Sequence, residues 1–130
     1  CEHSDRTTIK VERFEKILLS AMKQSLQCYL PKLNAPIAST QFFKVMKTDT
    51  SAKYIAHCYE NEKRLFSRTL TPFPERITVL IGPEGDFSTT ELNTALQQAF
   101  LPISLGDTRL RTETAAVVAC HTVAVLNELQ

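Results

Sequence analysis

Two glycine-containing turns stand where an α/β protein is expected to bind ligands. One is IGPEG (81–85), which begins on the last residue of the apolar run ITVLI (77–81), and the other is Leu105-Gly106, at the end of a second short apolar run. Glycine allows positive φ and close approach of the backbone to a ligand, and open parallel sheets bind ligands at the C-terminal ends of their strands. The two turns are equally compatible with a ligand site and with tight connections from strand to helix.

The polar loop DTRLRTE (107–113) lies between the second turn and the last predicted helix. Arg109, Arg111 and Glu113 alternate, so they would share one side of an extended loop. They form either a surface ion pair worth under about 1 kcal/mol or a site wall that combines cationic groups with a carboxylate. Thr112 or Thr114 is expected to cap the helix that follows.

Several other kinds of site are absent from the sequence. It has no phosphate-loop motif, no G-x-G-x-x-G and no G-x-S-x-G nucleophile elbow. The four cysteines and three histidines lack the spacing of metal ligands, so no metal is predicted. Reduced thiols of a cytoplasmic protein are preferred to a disulfide framework, and His121 is expected to be a packed or interface histidine.

Length and composition indicate one globular domain over residues 1–130. The chain is 43% hydrophobic and 22% charged, with a net charge of +1, which is ordinary for a globular domain. A nucleic-acid binder that works alone would be expected to carry a strongly basic face. The longest nearly uncharged stretch, 114–126, is too short to span a bilayer, so no membrane partner is predicted.

Periodicity and end signals predict alternating helices and strands. A helix is predicted over about 10–28, a strand over about 52–59, mostly loop over 61–76, and a buried parallel strand over 77–81. Ser88 and Glu91 form a capping box, with Phe87 and Leu92 as its hydrophobic staple, at the start of a helix over about 89–99. A strand at 102–105 and a helix over about 113–129 complete an α/β fold with a mostly parallel sheet flanked by helices.

The last predicted helix has no charged residue from Ala115 to Leu126. A helix that is apolar on nearly all sides must be buried on nearly all sides. Its second face is covered either by another copy of the chain, the preferred interpretation, or by a three-layer core within one chain.

Two long segments resemble the signature motifs of a known family. IGPEGDFSTTE (81–91) and LGDTRLRTETA (105–115), in this order and separation, are similar to those of the 16S ribosomal RNA uridine-N3 methyltransferase family, the ribosomal small-subunit methyltransferase E of the SPOUT superfamily. The segment 12–25 and Pro31 resemble the helix ahead of its catalytic domain, and the match is weakest across 37–76. Asp86 replaces a usual second glycine, Arg109 is displaced by one position, and Gln27 replaces a frequent arginine.

The resemblance implies a deep trefoil knot, a pocket for S-adenosylmethionine and a homodimer through the C-terminal helix. It also implies that 1–130 is a SPOUT catalytic domain without the N-terminal RNA-binding β-barrel of the family. The implied reaction is methylation of N3 of a uridine in 16S ribosomal RNA of the small subunit, in the cytoplasm. The implied cofactor-binding residues form three walls: Ile81, Gly82, Glu84 and Gly85; Leu105 and Gly106; and Leu110, Arg111, Thr112 and Thr114.

Uridine N3 carries a proton, so a base must accept it or a cation must favour the anion. We expect Arg111 to stabilise an anionic uracil, Glu113 to orient that arginine or accept the proton, and Arg13 to reach RNA or the pocket rim. Two alternatives remain at this stage: a knotted methyltransferase that acts on a ribose 2′-OH or on tRNA, and a non-catalytic RNA-binding or assembly module.

Overall fold

The computed structural model describes residues 1–3, 10–60 and 62–130. The chain divides into two compact units. The main unit consists of Cys1–Ser4 and Ser39–Gln130, and the small unit is Asp5–Ala38.

The small unit contains helix α1, Val11–Gln24. The amphipathic helix predicted over 10–28 is confirmed, but it ends four residues earlier than expected. The Ser25 hydroxyl donates a hydrogen bond to the carbonyl oxygen of Ala21, 2.8 Å away, and Leu26 has φ of 56°. Because a left-handed residue cannot continue a right-handed helix, the chain turns away at this point.

The main unit is built on a four-stranded sheet in the order β2-β4-β1-β3. The strands are β1 Ala52–Ala56, β2 Arg64–Leu65, β3 Ile77–Ile81 and β4 Leu101–Ser104. All three pairings are parallel, which confirms the predicted sheet type. The strand predicted at 77–81 has the expected bounds, but the expectation that it is buried is wrong. All five residues of β3 are half-buried because β3 is an edge of the described sheet.

Helices cover both faces of the sheet. On one face, α2 (Ser39–Met46) and α4 (Thr89–Gln97) contribute to a core around Ile55 and Phe87. On the other, α3 (Phe66–Thr69) and α5 (Thr112–Glu128) pack over Tyr54. Successive side chains of a strand point to opposite faces, so Tyr54 and Ile55 of the central strand β1 enter different cores.

Two helices and a strand were not predicted individually. The segment 61–76, expected to be mostly loop, contains β2 and α3, and α2 lies in a segment for which no helix was predicted. Each of these elements is short, so its sequence gives only a weak periodic signal. The helices are held to the core by buried side chains: Phe43 and Met46 in α2, and Phe66 in α3.

The capping box at the start of α4 is confirmed. The backbone N–H of Glu91 donates to the Ser88 hydroxyl oxygen at 3.2 Å, and the Ser88 N–H donates to the Glu91 carboxylate at 3.1 Å. Burial of Glu91 raises the pKa of its carboxyl, but hydrogen bonds from Ser88, from the Ser39 hydroxyl and from the Glu2 backbone outweigh it, so this pKa lies below its ordinary value. The box fixes where the turn after β3 ends and α4 begins.

Helix α5 lies on the sheet by one face only. Ala115 and Ala119 are buried, and Val123 and Leu126 pack against the same core. On the opposite side Val117 is 67% exposed and Val125 is 40% exposed. A three-layer core that covers this second face is therefore wrong for the part of the chain that the structure describes. No helix among these residues is long and apolar enough to cross a membrane.

Candidate functional site

The C-terminal ends of three neighbouring parallel strands lie side by side. Ala56, the last residue of β1, is paired with Ile81 of β3 and with Ile103 of β4. A cavity of about 770 Å³ opens just beyond these strand ends, a size typical of small-molecule sites. Its walls are the segment after β1, the glycine turn after β3, the loop after β4 and the start of α5.

Most of the residues that the sequence motifs assign to a cofactor pocket are brought together here. The lining includes Ile81, Gly82, Glu84, Leu105, Gly106, Leu110, Arg111 and Thr112. Gly85 and Thr114 are not among its described lining residues. A Cβ on Gly85 would lie 2.9 Å from the Cβ of His3, and Thr114 is exposed on the first turn of α5.

The three residues with expected roles in the reaction are in different places. Arg111 lines the cavity and is the N-cap residue of α5. Glu113 is exposed on the first turn of α5 and is not among the described lining residues. Arg13 lies on α1 in the small unit.

Gly82 is held in a position that has no room for a larger residue. A Cβ added there would lie 2.9 Å from Asp86 Oδ1 and 3.2 Å from two ring carbons of Phe87. On its other side, the Thr112 hydroxyl donates to the Gly82 carbonyl oxygen at 3.0 Å. The expectation that Thr112 or Thr114 caps α5 is therefore wrong, since the Thr112 hydroxyl instead ties the start of the helix to the glycine turn.

The loop after β4 is held by local hydrogen bonds. The Ser104 hydroxyl donates to the Gly106 carbonyl oxygen at 2.8 Å and lies 3.2 Å from the Gly106 N–H, which donates to it. Gly106 has φ of 137°, a conformation that residues with a side chain rarely adopt. Gly106 lines the cavity with its backbone alone, since it has no side chain.

The segment after β1 contributes residues that the sequence did not assign to the site. His57, Cys58 and Lys63 line the cavity, and Lys63 Nζ donates to the His57 carbonyl oxygen at 3.1 Å. His57 is 7% exposed, and neither of its ring nitrogens has a hydrogen-bond partner in the described part of the chain. Burial and the positive charge of Lys63 lower the pKa of His57, and the charge of Asp86 only partly opposes them.

No motif marked these residues, because 57–63 lies where the predicted strand meets a predicted loop. The only signal was their place at the C-terminal end of a parallel strand, and that rule applies to every strand of such a sheet.

The lining combines apolar side chains with charges of both signs. Ile81, Leu105 and Leu110 supply apolar surface, and Gly82 and Gly106 supply backbone without side chains. The charged lining residues are Lys63, Arg109 and Arg111 on the cationic side and Glu84, Asp86 and Asp107 on the anionic side. This cavity can hold a ligand with a flat apolar part and polar or charged ends. Among the described residues, no group of acidic, histidine or cysteine side chains could hold a metal ion.

Comparison with known proteins identifies the family. Residues 1–124 match the model of the RNA methyltransferase domain family. The chain belongs to this family. A curated family relative, the ribosomal RNA small subunit methyltransferase E of Synechocystis sp., is 32% identical over 92% of this chain. The chain spans only 40% of that relative's length.

Two solved structures superpose on most of the chain. A Porphyromonas gingivalis protein described as an rRNA-methyltransferase is 38% identical with a TM-score of 0.80, and the match covers 95% of this chain and 52% of that one. A Legionella pneumophila protein described as a methyltransferase, in complex with the cofactor SAM, is 28% identical with a TM-score of 0.80, over 96% and 52% of the two chains.

Proposed function

We propose that this chain is the catalytic domain of a methyltransferase that uses S-adenosylmethionine to methylate N3 of a uridine in 16S ribosomal RNA. The observation that carries this is the cavity at the strand ends, because residues of both signature segments, 81–84 with Asp86 and 105–112, line it. The Legionella pneumophila neighbour was solved in complex with the cofactor SAM, and the curated relatives are named ribosomal RNA small subunit methyltransferase E.

The lining residues fit S-adenosylmethionine. The volume of about 770 Å³ accommodates a molecule of this size. Ile81, Leu105 and Leu110 suit the adenine ring, and the missing side chains of Gly82 and Gly106 leave room for the ring to lie close to the backbone. When bound, this cofactor supplies a methyl group that its sulfonium centre makes electrophilic.

Arg111 and Glu113 are the proposed reactive groups of this chain. Arg111 lines the cavity in which a uracil ring would meet the cofactor, and a guanidinium favours the uracil anion that forms as N3 loses its proton. Glu113 follows two residues later on the first turn of α5. It either orients Arg111 or accepts the N3 proton. Arg13 of α1 is proposed to contact RNA or the pocket rim.

We also propose that the chain forms a homodimer through α5. The outward face of this helix carries Val117 at 67% exposure and Val125 at 40% exposure, and it bears no charged residue between Ala115 and Leu126. A second copy offers the same apolar strip in a self-complementary, two-fold arrangement. The same proposal includes three further expectations. The chain is a single domain across both units, it has the trefoil knot of the SPOUT family, and it acts on ribosomal RNA in the cytoplasm.

The test has a binding part and a chemical part. Titration calorimetry measures S-adenosylmethionine binding to the chain, and nucleoside mass spectrometry identifies the product on small-subunit RNA. We expect 3-methyluridine from the wild type, and a loss of at least tenfold in rate for Arg111→Ala. Arg68→Ala on α3 removes an exposed arginine outside the cavity lining and is the control.

Three results would overturn parts of the proposal. Absence of cofactor binding would contradict the enzyme function and favour a binding or assembly module. A product methylated at a ribose, or only in tRNA, would contradict the assigned substrate. Full activity in Arg111→Ala would contradict the role of that arginine alone.

A further inference from the structure

We propose that Asp86 is a positioning residue of the methyl-donor pocket, and that its carboxylate fixes the segment after β1 against the glycine turn after β3. This inference rests on the proposed function, since it assigns a residue to the same pocket. Asp86 does not need to touch the ligand for this role. It sets the distance between two walls that the ligand must contact at once.

The sheet itself does not hold these two walls together. The pairing of β1 with β3 ends at Ala56 and Ile81, and the chain on both sides leaves the sheet beyond that pair. Two residues further on, the Cys58 N–H donates to Asp86 Oδ2 at 2.7 Å. A side chain therefore continues the connection between the two strand ends past the last backbone pairing.

The carboxylate is anchored on its own side as well. Asp86 Oδ1 accepts a hydrogen bond from the N–H of Phe87 at 2.8 Å, and the Asp86 N–H donates to the Pro83 carbonyl oxygen at 2.9 Å. Phe87 is 8% exposed and belongs to the core beneath α4. Hydrogen bonds from backbone N–H groups to an ionised carboxylate are stronger than neutral ones. The turn is thus fixed to the core at one end and to β1 at the other.

Gly82 and Asp86 are sterically matched. Asp86 has φ of 62°, a conformation that aspartate tolerates better than most residues with a side chain. In this conformation Oδ1 lies only 2.9 Å from the position that a Cβ on residue 82 would occupy. Gly82 is in turn held by the Thr112 hydroxyl at the start of α5. The Asp86 carboxylate and the Thr112 hydroxyl therefore lie next to the same glycine, whose missing side chain leaves the space that the carboxylate needs.

A second carboxylate provides a control within the same sheet. Asp49 precedes β1 and accepts hydrogen bonds from the Ser51 N–H at 2.8 Å and from the Arg76 guanidinium at 3.1 Å. Arg76 precedes β3, so Asp49 connects the N-terminal ends of the two strands whose C-terminal ends Asp86 connects. Asp49 is not among the described residues of the cavity lining.

The experiment compares Asp86→Gly, Asp86→Asn and Asp49→Ala with the wild type. Glycine at position 86 removes the side chain without strain at positive φ, and asparagine keeps its size while removing the charge. Titration calorimetry measures Kd for S-adenosylmethionine and for S-adenosylhomocysteine, whose sulfur is uncharged. Amide hydrogen exchange at Cys58 reports the hydrogen bond itself, and thermal unfolding reports folding.

We expect Asp86→Gly to raise both Kd values about tenfold, because fewer molecules have the pocket walls in place. We expect Asp86→Asn to raise both Kd values by less, since an amide oxygen retains one of the two hydrogen bonds. The Cys58 amide should exchange faster in Asp86→Gly. Asp49→Ala should lower the unfolding temperature and leave both Kd values within twofold of the wild type.

Different outcomes separate this inference from the proposed function. If the wild type binds neither ligand, the proposed function fails, and this inference with it. If the wild type binds and Asp86→Gly binds equally well, only the inference fails. A loss confined to the cationic S-adenosylmethionine would also overturn it, because Asp86 would then act as a charge on the ligand. So would an equal loss of affinity in Asp49→Ala.

Discussion

Substitution of Gly82 by alanine tests the steric argument for the pocket most directly. The added Cβ would lie 2.9 Å from Asp86 Oδ1 and 3.2 Å from the Phe87 ring. The first distance is shorter than van der Waals contact, and Phe87 is 8% exposed in the core, so it has little room to move. Overpacking of this kind costs about 1–3 kcal/mol. We expect Gly82→Ala to lower the free energy of unfolding by about 2 kcal/mol and Tm by roughly 8 °C.

A double-mutant cycle isolates the contact with the carboxylate. Asp86→Gly removes Oδ1, so alanine at position 82 should then cost about 1 kcal/mol less than in the wild type, a coupling typical of residues in contact. Urea denaturation of the wild type, both single variants and the double variant measures this difference.

Gly106→Ala is the matched control for the cycle. Gly106 has φ of 137°, and nothing lies within 4 Å of an added Cβ. The loss of stability in Gly106→Ala comes from the backbone alone. The free energies of unfolding lost in Gly106→Ala and in Asp86→Gly should therefore be additive in the double variant to within about 0.5 kcal/mol. If Gly82→Ala were also additive with Asp86→Gly, or if it left stability unchanged, the steric reasoning about this turn would be refuted.

Three further predictions concern the elements around the pocket. Ser88→Ala removes the hydroxyl from the capping box of α4 and should cost about 1 kcal/mol in urea denaturation. Thr112→Val keeps the side-chain shape but leaves the buried Gly82 carbonyl oxygen without its hydroxyl donor, which should cost about 1–2 kcal/mol and weaken S-adenosylmethionine binding. The pKa of His57 is lowered in the folded chain, so the unfolded chain binds the proton of this residue more readily. The free energy of unfolding should therefore fall as the pH decreases from the ordinary histidine pKa of 6.5 towards the lower pKa of the folded state.

Each of these predictions has its own control. Thr94→Ala, at an exposed hydroxyl bonded within α4, should change stability much less than Ser88→Ala, and equal costs would contradict the capping argument. Thr112→Ser retains the hydroxyl, so it should bind the cofactor better than Thr112→Val. His57→Phe should remove its part of the pH dependence without lowering stability at pH 7, since both ring nitrogens lack partners among the described residues. A pH profile that is unchanged in His57→Phe would refute the assignment.

The agreement between sequence and structure follows the range of the interactions involved. The capping box needs only Ser88 and Glu91, three residues apart, and it forms as predicted. The start of α5 was predicted to within one residue, but its cap was not: Arg111 is the N-cap residue, and the Thr112 hydroxyl bonds to Gly82, thirty residues away in the chain. A local rule gives the ordinary partner of a threonine at a helix start, but it has no information about a closer acceptor from another segment.

The edge position of β3 was missed for a similar reason. A strand without polar alternation indicates burial on both faces of a parallel sheet, yet the burial of ITVLI also depends on which strands lie beside it. Strand order is a property of the whole chain, and here it leaves all five residues half-buried.

The sequence by itself determined the alternation of helices and strands, the parallel sheet, the two glycine turns and the apolar character of the last helix. These features depend on periodicity, end signals and residue size, which act within a few neighbours along the chain. Only the tertiary structure decided that His57 and Lys63 meet residues 81–84 and 103–112 in one cavity, and that the Asp86 carboxylate accepts a hydrogen bond from the Cys58 N–H. Contacts between residues so far apart form only when strand order and register bring them together, and neither is encoded in any single segment.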